Sequence, residues 1–308
     1  MSILYSSDSE RGQQWKQRFA VEEPSIPFHI WPDVGDPGAV EYLVAWIPPE
    51  AFFENLPNLR VVFSVGAGVD QFDLGHFPPS VKLVRMLDPG ITQGMAEYVT
   101  LGVLALHRNL PEYLVAQRAA RWEPIPCSTA QSCRVGIMGL GNLGRAAIAQ
   151  LQNLGFQLSG WSRSRHVIPG VRCFAGREEL ADFLGQVDIL VCLLPLTDAT
   201  RGILCRETFN LMPPGTHLIN AGRGGHLCEE SLLQALDSGR ISVALLDVLQ
   251  QEPPAPDHPF WHHPNILMTP HIAASTQTDS ACQVLLDNIR RHRAGLTMSG
   301  EVDRNSGY

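Results

Sequence analysis

The sequence predicts an α/β chain built on parallel, doubly wound sheets, and two observations carry that expectation. Short apolar runs alternate with amphipathic stretches along nearly the whole chain, the rhythm of βα units rather than of separate strand and helix blocks. One of those runs, at 135–138, empties into Gly139-x-Gly141-x-x-Gly144, after which Leu143, Ala147, Ile148, Leu151 and Leu154 recur at helical spacing until Gly155. Strand, glycine turn and helix in that order describe a dinucleotide site. Gly139 permits the tight turn, Gly141 lets backbone N–H groups approach a pyrophosphate, and Gly144 lets helix and strand pack closely. Leu140, Asn142 and Leu143 fill the rest of that turn.

At 308 residues two domains are expected. In the first hundred residues the candidate strands are 3–5, 28–31, 42–46, 59–65 and 81–87, with helices around 13–19 and after Pro49. A long helical stretch begins near Thr92 and runs through Tyr98, Leu104 and Leu110, with a second at 112–121. Its apolar positions, among them Leu101, Val103, Leu104, Leu106 and Leu110, exceed what one buried stripe needs. Beyond the glycine turn, strands are expected at 157–161, 188–194, 217–220, 243–246 and 266–268, with a clear helix at 229–236 and a final amphipathic helix at 277–295.

Composition removes several classes of function. A net charge of −8 with interspersed signs argues against nucleic acid as a partner. No apolar run reaches the length of a membrane span, and the first residues enter a strand without a basic leader, so neither a membrane anchor nor a signal peptide is expected. The seven cysteines are odd in number and lack a C-x-x-C pair, which suits a reducing cytoplasm. Histidines 258, 262, 263 and 271 have no cysteine or carboxylate at ligand spacing, so no metal is expected. Lys16 and Lys82 are the only lysines and neither follows a tyrosine at Tyr-x-x-x-Lys spacing, which argues against those reductases and leaves little scope for Schiff-base chemistry.

Three segments fall at strand ends in the second half: Asn220-Ala-Gly-Arg-Gly224, Asp247-Val-Leu-Gln-Gln-Glu-Pro253 and Met268-Thr-Pro-His-Ile-Ala273. Ligands of open parallel sheets bind at the carboxyl ends of the strands, so Arg223, Glu252 and His271 are expected to converge there. Together they meet the needs of 2-keto acid reduction. An arginine fork pins the carboxylate and polarises the keto oxygen. A histidine protonates the developing alkoxide, and a nearby glutamate favours its imidazolium form. A second glycine turn, Val65-Gly-Ala-Gly-Val-Asp70, follows an apolar strand and offers bare N–H groups to a small anion, though a plain turn has the same signature.

With the glycine turn, A-G-R-G, D-V-x-x-x-E-P and T-P-H-I-A in this order, the chain resembles the D-isomer-specific 2-hydroxyacid dehydrogenases over nearly its whole length. Trp161-Ser-Arg-Ser-Arg165, the Trp46 segment, residues 65–70 and the terminal Val302-Asp-Arg-x-x-Gly-Tyr308 resemble its members that reduce glyoxylate and hydroxypyruvate. The resemblance implies a central Rossmann domain at 98–274 and a smaller, flavodoxin-like substrate (lid) domain from 1–97 and 275–308, with a homodimer formed through the 92–121 region. It makes Arg223 the substrate arginine, His271 the acid and Glu252 its partner. Gly66, Ala67 and Gly68 would bind the substrate carboxylate, with Trp46 and Met95 lining the pocket or packing in a core. Leu194, Pro195, Thr200, Ala221, Gly222 and Asp247 would lie along the dinucleotide, Asp247 at the nicotinamide carboxamide.

The chain departs from that family's common pattern at one place. Where an acidic residue is usual after the second strand, it has Ser162 and Arg163, with Arg165 close by, which favours NADP over NAD. A relative acting on phosphoglycerate or formate, or a dinucleotide-sensing co-repressor, would keep the same motifs.

Overall fold

The computed structural model describes residues 1–48 and 52–304. The chain divides into two units, Met1–Ile91 with Ser275–Tyr308, and Thr92–Ala274. In the first, β1 (Ser2–Ser6), α1 (Ser9–Glu22), β2 (Phe28–Ile30), β3 (Val40–Ala45), α2 (Phe52–Asn55), β4 (Val61–Ser64) and β5 (Lys82–Val84) follow in turn. All the strands pair in parallel, in the order β2-β1-β3-β4-β5, the doubly wound order of flavodoxin-like sheets. Ile3, Leu4, Leu43, Val44, Val61 and Val62 are fully buried, as strands covered on both faces require. The expected 81–87 strand stops early because Arg85 N–H turns to Gly300 O and Met86 N–H to Gly66 O. Pro49, ahead of α2, lies outside the described residues, as do Gly307 and Tyr308 of the terminal motif.

α3 (Pro89–His107) carries the chain across the division, which falls at 91/92 and not at 97/98. The second unit continues with α4 (Leu110–Arg118), β6 (Arg134–Met138), α5 (Asn142–Asn153), β7 (Gln157–Ser162), β8 (Val171–Ala175), α6 (Leu180–Leu184), β9 (Ile189–Cys192), α7 (Arg206–Leu211), β10 (Thr216–Asn220), α8 (Glu229–Asp237), β11 (Ile241–Leu246) and β12 (Ile266–Met268). Its parallel sheet runs β12-β11-β10-β9-β6-β7-β8. Strand order therefore reverses beside β6, the topological switch point at which such sheets bind ligands. Val99, Val103 and Leu106 of α3 pack with Ile148 and Leu151 of α5 in one cluster. Phe183 of α6, Phe209 of α7 and Leu232 of α8 belong to the other.

β8 is absent from the sequence expectation because only Phe174 along it is buried. An edge strand needs no continuous apolar run, and Arg172 lies over the Phe174 ring at 4.9 Å. The chain ends in the first unit with α9 (Thr278–Arg293), whose start meets α1: Trp15 Nε1 donates to Thr278 O at 2.8 Å and Arg18 to Asp279 O at 2.7 Å. Among the described residues no helix is long and apolar enough to cross a membrane. Burial pushes the thiols of Cys133, Cys192 and Cys282 up to about 12, so these cysteines act as small hydrophobes.

At the start of β6, Arg134 holds Asp188, ahead of β9, with two guanidinium bonds of 3.0 and 2.5 Å and its own N–H at 2.8 Å. Burial opposes ionisation of Asp188, but these donors outweigh it and hold its carboxyl below the usual range. Such a group contributes stability above its unfolded pKa, near ~3.9, and loses that contribution as pH falls through the lower folded value. Asp188→Asn should therefore reduce the urea-unfolding free energy by about 1 kcal/mol at neutral pH, the scale for a solvent-screened bidentate pair. The difference from the parent should close below about pH 4.

Candidate active site

The three glycines after β6 have three different jobs. Gly139 takes φ 103°, and a Cβ there would meet Leu193 O at 2.7 Å. A Cβ on Gly144 would lie 1.9 Å from Gly139 O, so only glycine lets α5 sit this close to β6. Gly141 caps α5 and has nothing within 4 Å of its Cβ position. The start of α5 thus has open space beside Gly141 and no side-chain cap, and the unpaired N–H groups of a helix start suit a pyrophosphate. Leu140 is buried beneath Gly160, Leu143 is half-buried and Asn142 is exposed.

At the end of β7, buried Ser162 donates from Oγ to Ser164 O at 2.8 Å, closing a short turn that presents exposed Arg163. Arg165 instead pairs with Glu179. The Ala175 N–H, followed by Arg165, holds that carboxyl below its usual range. A further arginine joins this region. Arg145 donates from Nε to Leu140 O at 3.0 Å and sits 2.9 Å from His166 Nδ1, spanning from the glycine turn to the β7 turn. In the sequence Arg145 reads only as an exposed helical position.

Leu194 is buried, and Pro195 O accepts from Thr200 Oγ1 at 2.7 Å, so Thr200 fastens its own loop. After β10, Asn220 accepts the Gly222 N–H at 3.2 Å and donates to Arg223 O at 3.1 Å. Ala221 and Gly222 are buried beneath the half-buried Arg223, whose guanidinium donates to Gly222 O at 2.8 Å. A Cβ on Gly224 would lie 1.9 Å from Leu249 O, so this glycine lets the arginine loop touch the loop that bears Glu252.

Glu252 accepts the Leu249 N–H on one oxygen at 2.9 Å and faces His271 Nδ1 with the other at 2.7 Å. The pair fixes the ring and leaves Nε2 for a substrate. His271 itself is left-handed, with φ 54°, a conformation that non-glycine residues keep only when neighbours enforce it. Asp247 supplies that enforcement. Its buried carboxylate accepts from Thr269 Oγ1 at 2.6 Å, Ile272 N at 2.9 Å and Ala273 N at 2.8 Å, while its carbonyl accepts from His271 N at 2.9 Å. Thr269 spends its proton on Asp247, so the Tyr98 hydroxyl, 2.7 Å away, must donate to Thr269. Three of about four carboxylate acceptor positions are taken, one being left for a further donor.

Arg223, Glu252 and His271 thus all sit beyond the carboxyl ends of β10, β11 and β12. Met95 is buried in the apolar cluster with Val99 and Ala273. In the first unit, Gly66, Ala67 and Gly68 follow β4. Gly66 N–H donates to Ser64 Oγ at 3.2 Å, and a Cβ there would come 2.6 Å from the half-buried Trp46 ring. Glycine at 66 is therefore required by Trp46 packing and not by a left-handed turn. His258 pairs with Glu229 at 3.1 Å, and no described group of His, Cys, Asp and Glu could hold a metal ion.

The family model of the D-isomer specific 2-hydroxyacid dehydrogenase NAD binding domain matches residues 100–273, and the chain belongs to this family. It is 38% identical, over 100% of both chains, to glyoxylate/hydroxypyruvate reductase A of Serratia proteamaculans. Among solved structures it is similar to a D-isomer specific 2-hydroxyacid dehydrogenase from Xanthobacter autotrophicus in complex with NADPH, with TM-score 0.93 and 38% identity over 100% of this chain and 99% of that one. It is equally similar in fold to an NADPH-dependent glyoxylate/hydroxypyruvate reductase from Sinorhizobium meliloti in complex with NADP and sulfate, with TM-score 0.93 and 35% identity over 100% of both chains.

The Asp247 clamp has a direct test. Thr269→Val keeps the shape but leaves the buried Tyr98 hydroxyl without its acceptor, which costs about 1–3 kcal/mol of unfolding free energy. Turnover should fall along with stability because the His271 turn loosens, and Thr269→Ser should restore both. Unchanged stability and turnover in Thr269→Val would refute the clamp.

Proposed function

We propose that this chain reduces small 2-keto acids with NADPH, glyoxylate to glycolate and hydroxypyruvate to D-glycerate. The reading is carried by the 2.7 Å His271–Glu252 pair on the same sheet edge as Arg223. Arg223 clamps the substrate carboxylate and draws charge from the keto oxygen. His271 delivers a proton from Nε2 to that oxygen while Glu252 stabilises the imidazolium. Bound in the glycine cradle, NADPH supplies the hydride. Asp247 has one acceptor position left for the nicotinamide carboxamide. Arg163 meets the 2′-phosphate, and Arg165, tied to Glu179, adds positive potential. The unit Met1–Ile91 with Ser275–Tyr308 is assigned to substrate binding through the turn Gly66, Ala67 and Gly68, whose N–H groups would take the carboxylate once Gly66 exchanges its bond to Ser64 Oγ, with Trp46 beside them.

A cytoplasmic homodimer completes the proposal. The cysteines are free thiols, as in a reducing compartment. Val103 and Leu106 turn into the core, but Leu101, Leu110, Leu114, Val115 and Trp122 on and after α3–α4 are exposed, Trp122 at 99%. A C2 interface would cover this apolar stretch. Sedimentation should give a dimer at micromolar concentration, and a monomer there would refute it.

The function is tested with a panel of 2-keto acids assayed with NADPH and NADH. Glyoxylate and hydroxypyruvate should be reduced with an NADPH preference of at least about tenfold, equivalent to ~1.4 kcal/mol. Tight dinucleotide binding with no turnover would instead indicate a sensor. His271→Ala should lower kcat by about 100- to 10,000-fold with NADPH binding retained. Arg163→Ala should raise KM for NADPH and leave KM for NADH nearly unchanged. Equal losses with both cofactors would mean that Arg163 only holds its loop.

A further inference from the structure

We propose that His226 is a positioning residue for this reduction, coupling the dinucleotide segment at Pro195 to the aim of Arg223. The inference rests on the reading of Arg223 as the substrate arginine. His226 ends the single helical turn Gly224–His226 after β10 and is completely buried. Its Nδ1 accepts the Arg223 backbone N–H at 3.1 Å, and its Nε2 lies 3.2 Å from Pro195 O. Those partners dictate the protonation pattern. An amide N–H can only donate and a carbonyl can only accept, so Nδ1 carries the lone pair and Nε2 the proton. The bonds also span two strand ends, β9 through Pro195 and β10 through Arg223.

Space for the ring is built into the neighbouring sequence. A Cβ on Gly222 would come 3.0 Å from His226 Nδ1 and 3.2 Å from Leu194 O, so glycine there admits both the imidazole and the β9 loop. The backbone of His226 is fixed as well: its N–H donates to Arg223 O at 3.2 Å and its carbonyl accepts from Leu204 N at 2.8 Å. Arg223 is thus held at its N–H by the ring and at its carbonyl by Asn220 and the His226 amide. Movement of Pro195 as the dinucleotide seats itself is passed through the rigid ring to the backbone of Arg223. An imidazole that merely filled a core would not be bonded at both nitrogens to two segments of one site.

Two substitutions separate the bonds. In His226→Asn the amide oxygen falls near the place of Nδ1 and nothing reaches Pro195. In His226→Gln the amide nitrogen reaches toward Pro195 and the acceptor for Arg223 is lost. Kinetics of the full-length enzyme should split accordingly. His226→Asn should raise KM for NADPH about tenfold, and His226→Gln should raise KM for glyoxylate about tenfold and lower kcat, the other KM in each case staying within about twofold, since one hydrogen bond corresponds to about a tenfold change. Equal rises in both KM values in both variants, tracking a fall in Tm, would reduce His226 to packing and overturn the proposal.

Arg223→Ala is the control on the underlying reading. If it leaves glyoxylate kinetics intact, that reading fails; if it abolishes turnover while the His226 variants do not split, only the His226 inference fails. Should neither variant fold, ¹⁵N-histidine spectra of the unaltered enzyme decide the matter. The solvent-shielded imidazole should show the Nε2–H tautomer and shift on addition of NADP and again on addition of oxalate. A resonance that moves with neither, or an Nδ1–H tautomer, overturns the coupling.

Discussion

The sheet edge that bears Arg223, Glu252 and His271 depends on one buried carboxylate. Asp247 gathers a hydroxyl and two amide N–H groups from the residues on either side of His271, and its carbonyl takes the His271 amide. Without it, a β-region or right-handed backbone would be preferred at position 271. The imidazole would then leave the glutamate that orients it. Burial makes this arrangement stiff, because a carboxylate with few waters near it gains most from keeping every donor. His271, the proposed acid, is thus held in place through the backbone and side chains of its neighbours as well as by Glu252.

Much of this was legible in the sequence, for reasons that differ by element. Strands covered on both faces are continuous apolar runs, so β1, β3, β6, β9 and β10 stand out. The glycines at 139 and 144 meet steric demands that no other residue meets, as the contact distances there show, whereas Gly141 has open space around it. The edge strand β8 was hidden because burying one side chain leaves almost no periodicity. The division at 91/92 was displaced because it lies inside a helix, where no turn residues mark it.

The site residues that sequence reasoning missed share one property. Tyr98, Asn220, His226 and Thr269 act through hydrogen bonds to backbone or to other side chains, and each carries a residue type with an ordinary place in a core or turn. Thr269 and Asn220 fell inside segments already singled out, but nothing in their spacing told what they hold. Tyr98 lies 171 positions from its partner, a relation that no local pattern encodes. Arg145 escapes notice for the opposite reason, since an arginine on the open side of a helix is an ordinary surface residue.

The Arg134–Asp188 pair has a consequence for how the protein can change. It joins β6 to the entrance of β9 at the amino ends of the strands, while Arg223, Glu252 and His271 occupy the carboxyl ends. The length of a strand therefore separates robustness from chemistry. Substitutions at the amino edge can add or remove tolerance to heat and denaturant without touching the reacting groups. Loops at the opposite edge are left free to diversify toward new substrates, drawing on a reserve of stability kept where selection for activity does not reach.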